Sequence, residues 1–281
     1  MEKNILYVSD LDGTLFNRNK RISKYTADTI NRCIGLGMQF TVATARMPYG
    51  CDYRLEDIRI NAPGILTNGV FLYDFAAGKI IEAEIIDKKA AQEVLNIFQK
   101  YNLSCFVYTY DRGGISLYYG DKSLETQTQY YSERALEKCR KVQLREELYS
   151  TAEKEQIVYM TYSGKQETLQ SLCDELSLFK EVSYSFYLNI YNGLYCLEIY
   201  SKNASKRNAI RKLKKLVKCD ELVVFGDNLN DLSMIEIADR SYAPQNALDK
   251  VKEMATDVID DCDHDGVAKF LAQDWYGKEN C

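Results

Sequence analysis

Histidine occurs once in this chain of 281 residues, as His264, so a histidine-rich metal centre is excluded and the ring reads as loop structure within DCDHDG. The nine cysteines form no CxxC pair. An odd, scattered set in a chain this long is no disulfide framework, and it predicts free thiols in a reducing compartment. Neither Cys51 nor Cys105 has an activating partner in sequence, which gives a thiol nucleophile no support. Positive charge is not in surplus either. A net charge of −5 offers no basic field for nucleic acid, and the one basic cluster, Lys206 to Lys218, reads as a solvated helix face. Long apolar runs are missing: the longest charge-free stretch, Val182 to Leu197, is too short and too polar to span a membrane. The amino terminus passes from Glu2 and Lys3 directly into a strand-like run without a leader's apolar centre, so a cytoplasmic protein is expected.

What is present suffices for two domains, with 46% hydrophobic residues to fill their cores. Strand-like and helix-like patterns alternate at the start. Asn4 to Ser9, Gln39 to Thr44 and Gly64 to Thr67 read as strands and Tyr25 to Leu36 as a helix, which predicts βαβ units and a parallel sheet. From about Ala83 the character changes. A helix over Lys88 to Tyr101 precedes a hairpin of Cys105 to Tyr110 with Ile115 to Tyr119, turning through Asp111 to Gly114. A polar helical stretch around Thr126 to Glu147, a strand over Ile157 to Tyr162 and a helix over Gln166 to Leu178 follow. A second hairpin pairs Tyr184 to Ile190 with Leu194 to Tyr200 around Asn192-Gly193. Hairpins mixed with helices predict an antiparallel α+β domain. After Lys202 the first style returns, with helix Ser205 to Val217, strand Leu222 to Phe225 and helix Leu229 to Ala238. The chain is therefore read as a core of residues 1–82 and 201–281 interrupted by an insertion of residues 83–200.

The strongest local signal is Ile5 to Leu15, ILYVSDLDGTL, where an apolar strand delivers Asp10 and Asp12 onto a glycine-containing turn. Two acids at a strand's carboxyl end can divide labour as nucleophile and proton donor. An ordinary strand exit looks the same, so other stations must decide. Thr44 in VATAR places a hydroxyl at the end of another strand, able to donate to a phosphate-like oxygen, although threonine is also common strand packing. Lys206 opens a helix, where a cation is unfavourable against the dipole and an anion favourable. In VVFGDNLNDLSMI, Asp227, Asn230 and Asp231 cluster after a buried strand, which suits Mg2+ or an Asx cap on the next helix.

Taken in order, DLDGTL, the threonine of VATAR, LTNGV at Leu66 to Val70, Ser205-Lys206, GDNLNDLSMI and DGVAKFL at Asp265 to Leu271 resemble the motifs of the haloacid dehalogenase superfamily, specifically Cof-type phosphatases with a large inserted cap. The likeness spans the core and only the general layout of the insertion. It implies an α/β fold, a Rossmann-like three-layer parallel-sheet core with an α+β cap that excludes water and sets specificity. It further implies Asp10 as the nucleophile that forms an aspartyl-phosphate, and Asp12 as general acid and base. Mg2+ would be held by Asp10, the main-chain oxygen of Asp12 and Asp227. Thr44, Lys206, Asn230 and backbone amides around Leu11 and Ala45 would hold the phosphoryl group, with Asp231 orienting Lys206 or the metal waters. The chain departs from the pattern at ATAR, where ATGR is common, and at APQNA, Ala243 to Ala247, where a small residue often precedes the asparagine.

The expected activity is Mg2+-dependent hydrolysis of small phosphate monoesters, sugar phosphates or similar metabolites, with no nucleic-acid or membrane partner. Phosphoryl transfer of the phosphomutase kind is the nearest alternative, and a non-catalytic phosphate-binding module switched at Asp10 is the alternative of another class. The cap tyrosines, among them Tyr108, Tyr110, Tyr118, Tyr187, Tyr191 and Tyr195, read as strand residues first and as stacking platforms second. Arg46 is left between a polar substrate contact and a surface arginine beside Pro48.

Overall fold

The computed structural model describes residues 3–112, 114–124, 138–189 and 193–279, the side chains of 276–279 excepted. The chain divides into two compact units, Met1–Glu82 with Ser205–Cys281, and Ala83–Ala204.

The first unit is built on a five-stranded parallel sheet in the order β14-β13-β12-β1-β2: β1 Ile5–Ser9, β2 Gln39–Val42, β12 Glu221–Phe225, β13 Arg240–Pro244 and β14 Asp257–Ile259. The period-2 alternation of β1 separates two helical layers. Leu6 and Val8 face Ala209, Ile210 and Leu213 of the helix Lys206–Val217. Tyr7 faces the other way: its ring meets Trp275 edge-on at 6.1 Å and its hydroxyl donates to Asp274 at 2.6 Å, both on the helix Gly266–Glu279. With the helix Lys24–Gly35 packed beside the latter, this is the Rossmann-like three-layer arrangement. We call these helices α1 (Lys24–Gly35), α4 (Lys206–Val217) and α5 (Gly266–Glu279). Serines cap two of them: Ser23 accepts the Thr26 N–H, and Ser205 accepts the Asn208 N–H.

Gly64–Leu66, read as one more parallel strand, is β3 of a separate antiparallel sheet with β4 (Phe71–Asp74) and β5 (Lys79–Ala83). An isolated parallel bridge, Ala43–Ile65, joins it to the segment just past β2, and the Thr44 N–H donates to the Ile65 carbonyl at 2.8 Å. The predicted helix Leu229 to Ala238 is shorter, a 3-10 turn Leu229–Asp231 followed by one helical turn, Leu232–Ile235.

The second unit is a six-stranded sheet in the order β10-β11-β9-β6-β7-β8: β6 Phe106–Asp111, β7 Gly114–Tyr119, β8 Lys141–Leu144, β9 Ile157–Gly164, β10 Val182–Leu188 and β11 Tyr195–Ser201. All pairings are antiparallel except β7 with β8. α2 (Lys88–Lys100) and α3 (Gln166–Leu176) cover one face through Val94, Phe98, Leu169 and Leu172 against Val107, Met160, Leu197 and Ile199. Most of the predicted helical stretch Thr126 to Glu147 lies outside the described residues, but its end is corrected: Lys141–Leu144 is strand β8. Gly113, Tyr191 and Asn192, from the two predicted hairpin turns, and Ile190, read as the end of a strand, are also outside them. β11 runs to Ser201, opposite Val182, and so the units divide after Ala204. Tyr108 and Tyr118 are fully buried. No described helix is long and apolar enough to cross a membrane.

Candidate active site

β1 ends level with both neighbours: Ser9 lies opposite Phe225 of β12 and Val42 of β2. Three segments therefore leave the sheet at one edge bearing Asp10, Thr44 and Asp227, at the carboxyl ends where open α/β sheets hold ligands. Asp10 is buried, and its N–H donates to the Phe225 carbonyl at 2.9 Å. Gly13 turns the chain with φ +83°, and a Cβ there would lie 2.4 Å from Asp227 Oδ2, so only glycine lets the two loops approach. Thr14 completes the approach by donating to Asp227 Oδ1 at 2.9 Å.

Lys206, the first residue of α4, is 1% exposed, and its Nζ donates to Asp10 Oδ1 and Asp231 Oδ1 at 2.5 Å each. Burial works against its charge, as does the helix dipole, but Asp10 and Asp231 outweigh both and hold its pKa above the ordinary lysine value. Asp231 is committed on its other oxygen too, accepting the N–H groups of Asp227 at 2.9 Å and Asn228 at 3.0 Å. It thus orients the lysine and the loop that carries Asp227.

Asp10, Asp227 and Asp231 each offer a carboxylate oxygen within 4.8 Å of the others. Three carboxylates facing one ammonium leave a surplus of two negative charges. Burial pushes the Asp10 carboxyl well above its ordinary pKa despite Lys206, with Asp231 and Asp227 adding to the shift. Burial and then Asp231 push Asp227 up to about 6. Oxygen donors that lack two positive charges are the environment a hard divalent cation such as Mg2+ fits.

Thr44 is buried, and its Oγ1 accepts the Arg46 N–H at 3.2 Å. The Asp12 carboxylate, more exposed, is held bidentately by Arg46, with Nε to Oδ2 at 2.6 Å and Nη2 to Oδ1 at 2.5 Å. Arg46 is itself braced by the Gly50 carbonyl at 3.1 Å and by the Phe16 ring, 5.5 Å from its guanidinium carbon. Leu11 is fully buried with its carbonyl accepting from Phe16 N–H at 2.7 Å, and Ala45 is exposed beside Arg46. Asn230 is exposed and its amide donates to Asn68 Oδ1 at 3.3 Å.

Of the residues singled out in the sequence, Asp10, Lys206, Asp227 and Asp231 form one cluster. Among the described residues no hydrogen bond joins the Asp12 carboxylate or the Asn230 amide to it. Arg46 proves to be an Asp12 partner rather than a surface arginine. Asn246 of APQNA received no role in the sequence, yet its side chain donates to the Gly13 carbonyl at 2.8 Å and accepts the Cys262 N–H at 2.9 Å, tying the Asp10 turn to the closing segment. The described cysteines are free, and burial raises the Cys51 thiol to about 12, which leaves no activated thiolate at this edge. His264 sits in a 3-10 turn with Nδ1 on the Asp261 carboxylate, away from this chemistry.

A model of the haloacid dehalogenase-like hydrolase family matches residues 7–271. The 5-amino-6-(5-phospho-D-ribitylamino)uracil phosphatase YwtE of Bacillus subtilis is 26% identical over 282 positions, which cover 94% of this chain and 96% of that protein. The pyridoxal phosphate phosphatase YbhA of Escherichia coli is 26% identical over 272 positions, covering 93% and 95%. Among solved structures, TM0651 from Thermotoga maritima superposes with a TM-score of 0.77 at 26% identity, covering 97% of each chain.

Proposed function

Because the chain belongs to the haloacid dehalogenase-like hydrolase family, as a phosphoric monoester hydrolase of the Cof type, we propose that it works through an aspartyl-phosphate on Asp10, with Mg2+ as its metal and small phosphorylated metabolites as substrates. The observation that carries this reading is the buried Asp10–Lys206–Asp231 network beside Asp227. It makes Asp10 a fixed oxygen nucleophile in surroundings built to accept further positive charge.

Asp10 attacks phosphorus with a carboxylate oxygen, the bond from phosphorus to the alcohol oxygen breaks, and that oxygen takes a proton from Asp12. A water then attacks the phosphorus of the acyl phosphate, its proton passes to Asp12, and the bond to Asp10 breaks to release inorganic phosphate. Asp10, Asp227 and the main-chain oxygen of Asp12 would hold Mg2+, which when bound offsets the two surplus charges and draws a phosphoryl dianion to an anionic nucleophile. Lys206, the Thr44 hydroxyl, Asn230 and the amides at Leu11 and Ala45 donate to the phosphoryl oxygens. The bidentate Arg46 pair occupies both Asp12 oxygens, so handing a proton to the leaving alcohol requires Asp12 to release at least one of them from Arg46. The insertion, residues 83–204, is assigned the choice of alcohol. A cytoplasmic setting belongs to the same reading and is supported by the free thiols.

The test is Mg2+-dependent phosphate release from a panel of sugar phosphates, nucleotides, pyridoxal phosphate and flavin phosphate, with Asp10→Asn as control. The names of the two relatives justify including heterocyclic phosphates. Turnover should fall at least about a thousandfold in Asp10→Asn and vanish in EDTA. Interconversion of phosphate isomers without phosphate release would sink the hydrolase reading in favour of a phosphomutase.

A further inference from the structure

The turn Thr67-Asn68-Gly69 carries three consecutive positive φ values, +51°, +52° and +98°. Glycine adopts them freely and asparagine tolerably, but a β-branched threonine is an outlier. Such strain persists only where the surroundings over-determine it. Here Thr67 N–H donates to the Arg46 carbonyl at 3.0 Å and Asn68 N–H to the Thr44 carbonyl at 2.9 Å. Gly69 is pressed against the start of α4, where a Cβ would lie 2.4 Å from the Ser205 carbonyl oxygen. The turn therefore bolts the loop bearing Thr44 and Arg46 to the helix bearing Lys206.

The side chain this arrangement delivers is Asn68. Its Oδ1 accepts from Asn230 Nδ2 at 3.3 Å, and its own Nδ2 has no acceptor among the described residues. Asparagine in this turn has a bland explanation, its tolerance of positive φ. That explanation concerns the backbone alone and does not account for the side chain's pairing with the Asn230 amide. Resting on the phosphatase reading above, we propose that Asn68 is a further ligand-contacting residue: its Nδ2 donates to an oxygen of the phosphate ester while its Oδ1 orients the Asn230 amide toward the same group.

Asn68→Gly separates the two explanations, since glycine suits the backbone at least as well and removes only the amide. The measurements are thermal melting, KM and kcat on a phosphate ester turned over by the native enzyme, and calorimetric binding of inorganic phosphate with Mg2+ present. We expect Asn68→Gly to melt no lower than native while KM and the phosphate Kd both rise about tenfold or more, the worth of a hydrogen bond to a charged group. Asn68→Asp, which puts a carboxylate oxygen where a donor is needed, should lose more. Native KM and phosphate affinity in Asn68→Gly would overturn the role of Asn68 and leave the phosphatase reading standing. A native enzyme that neither binds phosphate nor releases it from any ester overturns both.

Discussion

Removing the ammonium of Lys206 leaves Asp10 and Asp231 facing each other without the cation that joins them, in a site that is almost wholly buried. Breaking a buried pair from one side costs about 3–5 kcal/mol, so Lys206→Ala should show a large drop in the denaturant midpoint as well as lost turnover. If urea unfolding of that variant matched the native curve, the network would be weaker than its geometry implies. These residues were legible in the sequence because each sits at a strand end or helix start, where position and chemistry coincide. Arg46, Asn68 and Asn246 were not, for a common reason: each acts on a residue distant along the chain. Arg46 reaches Asp12, Asn68 reaches Asn230 and Asn246 reaches Gly13, and no local spacing encodes such pairs. Even for Asp12 the sequence named the carboxylate without the guanidinium that holds it.

Helix starts and sheet ends align only if the turns between them have fixed shape, and Gly69 shows how little slack exists. Gly69→Ala combines a φ of +98° with a collision against the Ser205 backbone, which cannot swing aside as a side chain would. We expect a loss of about 2 kcal/mol or more, read as a lower urea midpoint with unchanged slope, in contrast to the neighbouring Asn68→Gly. A native midpoint would show that the start of α4 yields. The same dependence on distant partners explains which elements the sequence revealed. The helices at 24–35, 88–100 and 206–217 carry their own periodicity and caps, so pattern alone located them to within a residue or so. β4 and β5 went unread because Phe71–Asp74 is too short and too uniformly buried to alternate. β8 went unread because Lys141–Leu144 is a strand only through parallel pairing with β7, which a local window does not contain. DGVAKFL, by contrast, was read as a motif and has a structural use: Asp265 accepts from Ser23 Oγ at 2.5 Å and Thr26 Oγ1 at 2.8 Å, fastening α5 to the start of α1.

At the scale of the whole molecule, each unit has its own hydrophobic core, one around Leu6, Val8 and Val224, the other around Val107, Met160 and Leu197. Every residue assigned to the metal, the nucleophile and the phosphoryl group lies in the first unit, at the start of α4 or on the turns that leave β1, β2, β3 and β12. A ligand that binds only the folded form stabilises what it binds by about 2.7 kcal/mol at a hundredfold excess over Kd. Mg2+ with inorganic phosphate should therefore slow amide exchange most at the ends of β1 and β12 and the first turn of α4. Protection of β6, β9 and β11, which contribute no residue to that set, should change little. Hydrogen exchange read by mass spectrometry on native protein, with Asp10→Asn and Asp227→Asn alongside, resolves the two sets of peptides. Asp227→Asn should abolish the Mg2+-dependent part of the protection, since it removes a proposed ligand; Asp10→Asn should weaken it. Equal protection of both units would place ligand contacts in the insertion as well, and the residues to test next would be those on its sheet.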